Sequence, residues 1–296
     1  MSRSTERNER FIDVQGVRLR AIVEGAGAAE AVMILHGFTG CAESMESVVP
    51  PLLEEYCVVR LELIGHGESD SPAGGEAYTM RRCAAQIAEA ARMLDLECPH
   101  LLGYSMGGRA AIAAAVANPR KFSSLVLVGA TAGIADSSLR RERILADQAL
   151  ADRIERRGVP AFVEEWMALP IFASQSCLGA EALEKARLQR LRNRAVGLAN
   201  SLRGMGAGAQ EPLFGLLDRF AGPVLLVVGE RDAKFREIAA SLEAAFPDAR
   251  TEVLEAAGHG AHLEMPEAFG RVVLAFLAAG SRRRSSAASR RASAAR

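Results

Sequence analysis

A serine, a carboxylate and an imidazole stand in this 296-residue chain in settings suited to proton transfer and nucleophilic chemistry. Ser105 sits in Gly103-Tyr104-Ser105-Met106-Gly107, a G-x-S-x-G pattern between an apolar run and an Ala-rich one. Small flanking residues let the serine occupy a sharp strand-to-helix turn, and Gly107 and Gly108 let the helix pack closely. A hydroxyl there lies at a helix amino terminus, so the Met106 N–H can face an anionic oxygen. Taken alone, the pattern also occurs in tight turns chosen for packing. It gains weight from Asp232, which ends Gly229-Glu230-Arg231-Asp232, and His259, which follows Gly258, because the three occur in the order Ser, Asp, His. His259 would take the Ser105 proton, and Asp232 would fix the imidazole tautomer and stabilise the imidazolium.

Other histidines compete for notice. His262 is the rival base, but His259 directly follows the loop glycine, and His262 is expected to pack or bond locally beside Glu264. His36-Gly37-Phe38-Thr39-Gly40 follows an apolar run, and its glycines let the backbone bend toward the serine, with the Phe38 N–H as second oxyanion donor. His36 and His66 are expected to be structural, and His100 to be a strand-edge residue without a role. None has the company of a metal-ligand set.

These residues need a scaffold. Phe11 to Val14, Gln15-Gly16 and Val17 to Val23 predict an opening antiparallel hairpin. Ala31 to Leu35, Cys57 to Leu61, His100 to Gly103, Ser124 to Val128 and Val224 to Val228 are short apolar runs without alternation, as in strands covered on both faces, and a further strand precedes Gly258. Helical patterns at Met80 to Leu94, Met106 to Ala117, Phe235 to Phe246 and Pro266 to Leu277 intervene or follow, which implies an α/β fold with a mostly parallel sheet and helices on both faces. Gly133 to Pro212 breaks the rhythm with charged, helix-forming sequence that leaves from the ligand-binding end of a strand, so it is expected to be a cap. The divisions are therefore a flexible N-terminus over 1–10, a core over 11–132 and 213–280, a helical cap over 133–212, and a disordered basic tail over 281–296 made only of Ser, Ala and Arg.

Composition narrows the classes. Lys plus Arg equals Asp plus Glu at 36 each, so no global field points to nucleic acid or an acidic membrane. Five scattered cysteines form no close C-x-x-C pair and read as reduced, packed thiols. The polar start lacks an apolar signal segment, and no run reaches the roughly 20 apolar residues of a membrane span. A cytoplasmic protein is expected, with a monomer as the expected state.

The motifs HGF at His36, GHGES at Gly65, GYSMGG at Gly103, GERD at Gly229 and AGHGAHLEMPEAF at Ala257 resemble the α/β-hydrolase superfamily over nearly the whole chain except both termini. One departure is Leu61-Glu62-Leu63-Ile64, where the superfamily usually has Asp and Pro before GHG, a difference that bears on local loop geometry. A narrower resemblance is carried by GYSMGGR with Arg109, RRERILAD from Arg140, EWMALPIFASQ from Glu165, GLANSLRGMGAGAQEPL from Gly197 and GERDAKF from Gly229. It is to the 2-succinyl-6-hydroxy-2,4-cyclohexadiene-1-carboxylate synthases of menaquinone biosynthesis. That resemblance implies a lyase that eliminates pyruvate from an enolpyruvyl-bearing cyclohexene carboxylate, without cofactor, metal or added water, with Ser105 as base. The substrate's carboxylates need compensating charge. By matching position, Arg109, Arg143 and Arg192 are the candidates, with Trp166, Phe172 and Tyr104 lining the site, and Arg140, Arg141, Arg190 and Arg194 read as solvated faces. The alternative is a serine hydrolase of esters, thioesters or carbon–carbon bonds working through an acyl-enzyme. A remoter one is a non-catalytic binding protein, against which the intact triad argues.

Overall fold

The computed structural model describes the backbone of residues 6–294 and the side chains of residues 6–280. The opening hairpin pairs β1 (Asn8–Val14) with β2 (Val17–Glu24) around Gln15 and Gly16, both at positive φ, the geometry a two-residue hairpin turn needs. Its first strand begins inside the segment expected to be flexible, because the pairing runs out to Asn8 opposite Val23. Residues 1–5 lie outside the described ones.

The remaining strands are β3 (Glu30–Leu35), β4 (Tyr56–Leu61), β5 (His100–Tyr104), β6 (Leu125–Val128), β7 (Val224–Gly229) and β8 (Ala249–Leu254). They lie in the order β1-β2-β4-β3-β5-β6-β7-β8, antiparallel through β1, β2 and β4 and parallel from β4 onward. Successive side chains of a strand point to opposite faces, and here both faces are dry. Met33, Leu35, Val59, Leu61, Leu127 and Leu226 pack on one side. Val32, Ile34, Val58, Val126 and Leu225 pack on the other. That is why the strand sequences show unbroken apolar runs.

Between β6 and β7 the chain leaves the sheet to form α3 (Ser137–Met167), a 3-10 segment over Pro170–Leu178, α4 (Gly179–Leu191) and α5 (Ala195–Met205). Helix α3 is broken at Gly158, where φ is +79°, just before Pro160. This insertion has its own small core of Ala151, Ile154, Phe162, Val163, Leu198 and Leu202.

The first face of the sheet is covered by α1 (Met80–Met93), α2 (Met106–Ala117) and α6 (Ala233–Ala245). The second is covered by the turns between Met45 and Leu52, the short α7 (Ala261–Glu264) and α8 (Pro266–Ala294). Helix α8 is anchored on buried Phe269, Val273 and Phe276, and the basic tail over 281–296, expected to be disordered, lies outside the residues described in full. Residues 295–296 lie outside the described residues.

The serine turn depends on clearance between backbones. A Cβ on Gly107 would lie 2.4 Å from the Leu35 carbonyl oxygen and 2.6 Å from that of His36, whereas one on Gly75 would meet nothing within 4 Å. We therefore expect Gly107→Ala to lower stability by about 1–3 kcal/mol or more in urea unfolding, with Gly75→Ala unchanged. Equal midpoints for the two variants would show that the turn tolerates a side chain there.

Candidate active site

The parallel strands deliver their carboxyl ends to one edge of the sheet, where crevices in such folds form. Ser105 follows β5 with φ +51° and ψ −107°, a conformation that costs a non-glycine residue about 1–2 kcal/mol. It is held from both sides. Its N–H donates to the Val128 carbonyl at 2.8 Å, and its own carbonyl accepts from the Arg109 N–H at 3.0 Å.

Asp232 and His259 reach it from the loops after β7 and β8. His259 Nε2 lies 3.1 Å from Ser105 Oγ, and Nδ1 lies 2.8 Å from Asp232 Oδ2. With Nδ1–H donating to the carboxylate, Nε2 is left as acceptor for the serine hydroxyl. Asp232 is fixed in turn because its other oxygen caps α6, accepting from the Phe235 N–H at 3.3 Å. This cap starts the helix at Ala233, two residues ahead of the apolar periodicity. The His259 ring packs on Phe235 and Tyr104. A Cβ on Gly129 would fall 2.8 Å from its Cε1, so that glycine makes room for the imidazole.

Glu264 sets the loop that carries His259. Its buried carboxylate accepts from Gly258 N–H at 2.7 Å and Gly260 N–H at 3.2 Å, the residues on either side of the histidine, and from Ser174 Oγ of the insertion at 3.0 Å. Glu264 is therefore committed to the loop backbone, and His262, expected to pack or bond locally, packs without bonding it. His262 is buried with neither ring nitrogen hydrogen-bonded, and its ring lies 4.4 Å from that of Tyr104.

On the opposite side the His36–Gly40 loop lies against the serine turn. His36 is structural: Nδ1–H donates to Gly37 O at 2.8 Å and Nε2 accepts from Leu63 N–H at 3.0 Å. Phe38 meets the insertion through Phe162 and Trp166, and Trp166 continues to Phe172, so an aromatic row leads from the core into the insertion. Thr39, a β-branched residue, adopts φ +68°. The neighbouring Glu62, in the sequence that departs from the usual Asp and Pro, ties the loops together. It accepts from Ala42 N–H, Glu68 N–H and the Arg20 guanidinium. Cys41, Glu43 and Glu62 cluster closely, but Arg20 already supplies the cation there, bonded to both carboxylates.

The arginines are placed less simply. Arg109 is buried and donates through Nη1 to the Met205 carbonyl at 2.7 Å and to Gln210 Oε1 at 2.9 Å. Burial pulls its guanidinium down to about 10, Arg143 adds repulsion and Asp147 opposes it, so these three charges share one neighbourhood. Arg143 Nε is bonded to Asp147 at 2.8 Å. Arg192 is not with them: it pairs with Glu68 and approaches Glu43, half-exposed on the outside. The inward residue is Arg190, which the sequence reading assigned to solvent. Burial drives its guanidinium below the ordinary value, Tyr104 and Cys41 are near enough to oppose that, and its Nε is buried without a partner. Arg190 lies in the last turn of α4, whereas Arg192 caps that helix and Arg194 precedes α5, so the three do not share one helical face. That Arg190 faces inward depends on how α4 is rotated by its packing, and apolar spacing in α4 is too weak to fix that rotation. Trp166 Nε1 is likewise a buried donor without a partner.

Comparison with known proteins gives the same picture of the fold. The model of the alpha/beta hydrolase fold family matches residues 30–266. The chain is 42% identical over 262 residues to a Bacillus subtilis (strain 168) protein provisionally named 2-succinyl-6-hydroxy-2,4-cyclohexadiene-1-carboxylate synthase, covering 88% of this chain and 95% of that one. It is 32% identical over 243 residues to the Salmonella agona (strain SL483) protein of that synthase name, covering 82% and 91% respectively. Among solved structures, MenH from S. aureus superposes with a TM-score of 0.82 at 28% identity over 95% of this chain and 100% of that one. A thermophilic esterase from Thermogutta terrifontis superposes at 0.78 with 24% identity, over 92% and 99%, a likeness of fold alone.

Burial holds three histidines near the serine neutral. His36 is pushed down to about 4, and His66 and His262 to about 3, in each case chiefly by loss of water around the charged ring. Their folded values lie below the ordinary 6.5, so the unfolded chain binds more protons as the pH falls. The stability they permit is complete above pH 6.5 and is lost on acidification toward 4 and 3. Each contributes up to about 1.4 kcal/mol per pH unit in that window. Urea unfolding across pH 7 to 4 should show this slope, and His262→Phe should reduce it by one histidine's share while activity persists. An unchanged slope, or activity lost as fully as in His259→Ala, would return His262 to the list of candidate bases.

Proposed function

The chain belongs to the α/β-hydrolase fold family and, within it, to the 2-succinyl-6-hydroxy-2,4-cyclohexadiene-1-carboxylate synthases, and on that premise we propose that it is a carbon–oxygen lyase of menaquinone biosynthesis. Its substrate is 2-succinyl-5-enolpyruvyl-6-hydroxy-3-cyclohexene-1-carboxylate, from which it eliminates pyruvate. The observation that carries this reading is the Ser105–His259–Asp232 hydrogen-bond chain lying beneath an insertion that buries cationic and N–H donors without partners.

The names of substrate and product fix the bonds that change. A 3-ene becomes a 2,4-diene as the C5 substituent departs, so the hydrogen lost is the one on C2, next to the succinyl ketone. Ser105 passes its proton to His259 as it takes the C2 proton, and Asp232 stabilises the imidazolium. The electron pair forms C2=C3, the old double bond shifts to C4=C5, and the C5–O bond breaks. The departing enolate of pyruvate receives a proton from the catalytic pair, so atoms balance without water. Negative charge develops on the ketone oxygen, and the amides of Phe38 and Met106 are the donors we assign to it. Arg109, Arg143 and, in place of Arg192, Arg190 supply charge to the carboxylates. Tyr104, Trp166 and Phe172 form the wall, and the insertion acts as a cap that excludes water. We place the enzyme in the cytoplasm as a monomer acting on a free small polycarboxylate; no described helix is long and apolar enough to cross a membrane.

Ultraviolet detection of the cyclohexadiene, with enzymatically generated precursor, tests the proposal. Wild type should form product, and Ser105→Ala should lose at least about 10³-fold in kcat. Arg190→Ala should raise KM by about 10- to 100-fold, the worth of a charge-assisted hydrogen bond, with Arg192→Ala near wild type. Folded wild type that makes no diene but hydrolyses simple esters would replace this reading with a serine hydrolase.

A further inference from the structure

A single residue of the insertion reaches two core loops beside the serine. Asn193 is 5% exposed and lies just beyond α4. Its Nδ2 donates to the Thr39 carbonyl at 2.8 Å and to the Arg190 carbonyl at 2.9 Å, while Oδ1 accepts from the Gly67 N–H at 3.0 Å. Each of its three hydrogen bonds is to backbone, and two reach loops more than a hundred residues away in sequence.

The Thr39 end of this bridge lies on a strained turn. Gly40 N–H closes the turn onto Gly37 O at 3.0 Å, so Phe38 and Thr39 are its central residues. Thr39 stands at φ +68° in the position where such turns favour glycine. Its own hydroxyl is buried with no partner, so the side chain does not hold the conformation. Relief of that strain by opening the turn would release its first peptide, Gly37–Phe38, which carries the Phe38 N–H. The hydrogen bond from Asn193 to the Thr39 carbonyl pins the Thr39–Gly40 peptide that closes the turn, and so opposes its opening.

We propose that Asn193 is a positioning residue: a clamp from the insertion that keeps the Thr39 turn strained and thereby holds the Phe38 amide where the developing oxyanion needs it. The proposal rests on the reading of Phe38 as an oxyanion donor. Asn193 acts through the turn and not on the substrate, so its loss falls on kcat. Asn193→Ala should lower kcat by about 10- to 100-fold with KM within about twofold, part of the cost of losing an oxyanion donor. Asn193→Asp keeps the acceptor for Gly67 but faces the Thr39 carbonyl with an oxygen, and should lose as much. Glycine adopts φ +68° without strain, so Thr39→Gly should restore most of the lost kcat in either background. A merely structural asparagine would not be rescued by a more flexible chain.

The experiment measures kcat, KM and melting temperature for these variants, together with the second-order rate at which a fluorophosphonate labels Ser105. Labelling draws on the same amides whatever the natural substrate, so failure of wild type to eliminate pyruvate would leave the clamp testable. If Asn193→Ala does not fold, the isosteric Asn193→Asp carries the test. Slower turnover and labelling, both rescued by Thr39→Gly, support the clamp. Unchanged labelling, a loss confined to KM, or a deficit that Thr39→Gly does not relieve would overturn it.

Discussion

The backbone of Ser105 is the constraint from which the rest of the site follows. A side-chain-bearing residue at φ +51° persists only where its surroundings leave no alternative. Here the strand ladder takes its N–H, the first turn of α2 takes its carbonyl, and the glycines at 103 and 107 let backbone approach backbone where any Cβ would collide. The sheet must therefore be complete before the serine can be presented, because β3 and β6 both contribute atoms to its setting. Stability made across the whole fold is spent on one unfavourable turn.

Around that turn, each catalytic group is oriented by a neighbour that is itself anchored. Asp232 divides its two oxygens between the imidazole and a helix cap. His259 is framed by a glycine, two aromatic rings and a loop whose N–H groups converge on Glu264. The insertion contributes to this outer layer as well as to the walls, through Ser174 on Glu264 and Asn193 on Thr39 and Gly67. Core and insertion thus share the hydrogen bonds that set the geometry, although the insertion has a separate apolar core.

Much of this was legible in the chain. Unbroken apolar runs identified strands covered on both faces, and the Ser, Asp, His order identified which polar residues belong together. What was not legible depends on rotation and on groups without a chemical signature. Arg190 lies in the last turn of α4 and Arg192 caps it, and tertiary packing decides that the first faces inward. Glu264 and Asn193 act on backbone N–H and C=O groups, which every residue carries, so no spacing marks their partners. Thr39 gave no sign of strain, since threonine is an ordinary residue whose unusual φ appears only in the folded loop.

Charge argues further about what the site accepts. Arg109 is buried, pulled down to about 10, and repelled by Arg143, with Asp147 the carboxylate in the neighbourhood that opposes the shift. Arg190 is half-buried near Tyr104, with its Nε buried and without a partner. Such cations are costly in isolation, and a neutral ester would relieve none of that cost. A ligand with several carboxylates would relieve that cost. The same charges would disfavour a hydrolytic course. Arginines that fix three carboxylates hold a ring in one pose, with the C2 hydrogen toward the alkoxide-like oxygen and no electrophilic carbonyl carbon required there. The imidazolium then has a use that needs no water, since the departing enolate of pyruvate consumes its proton.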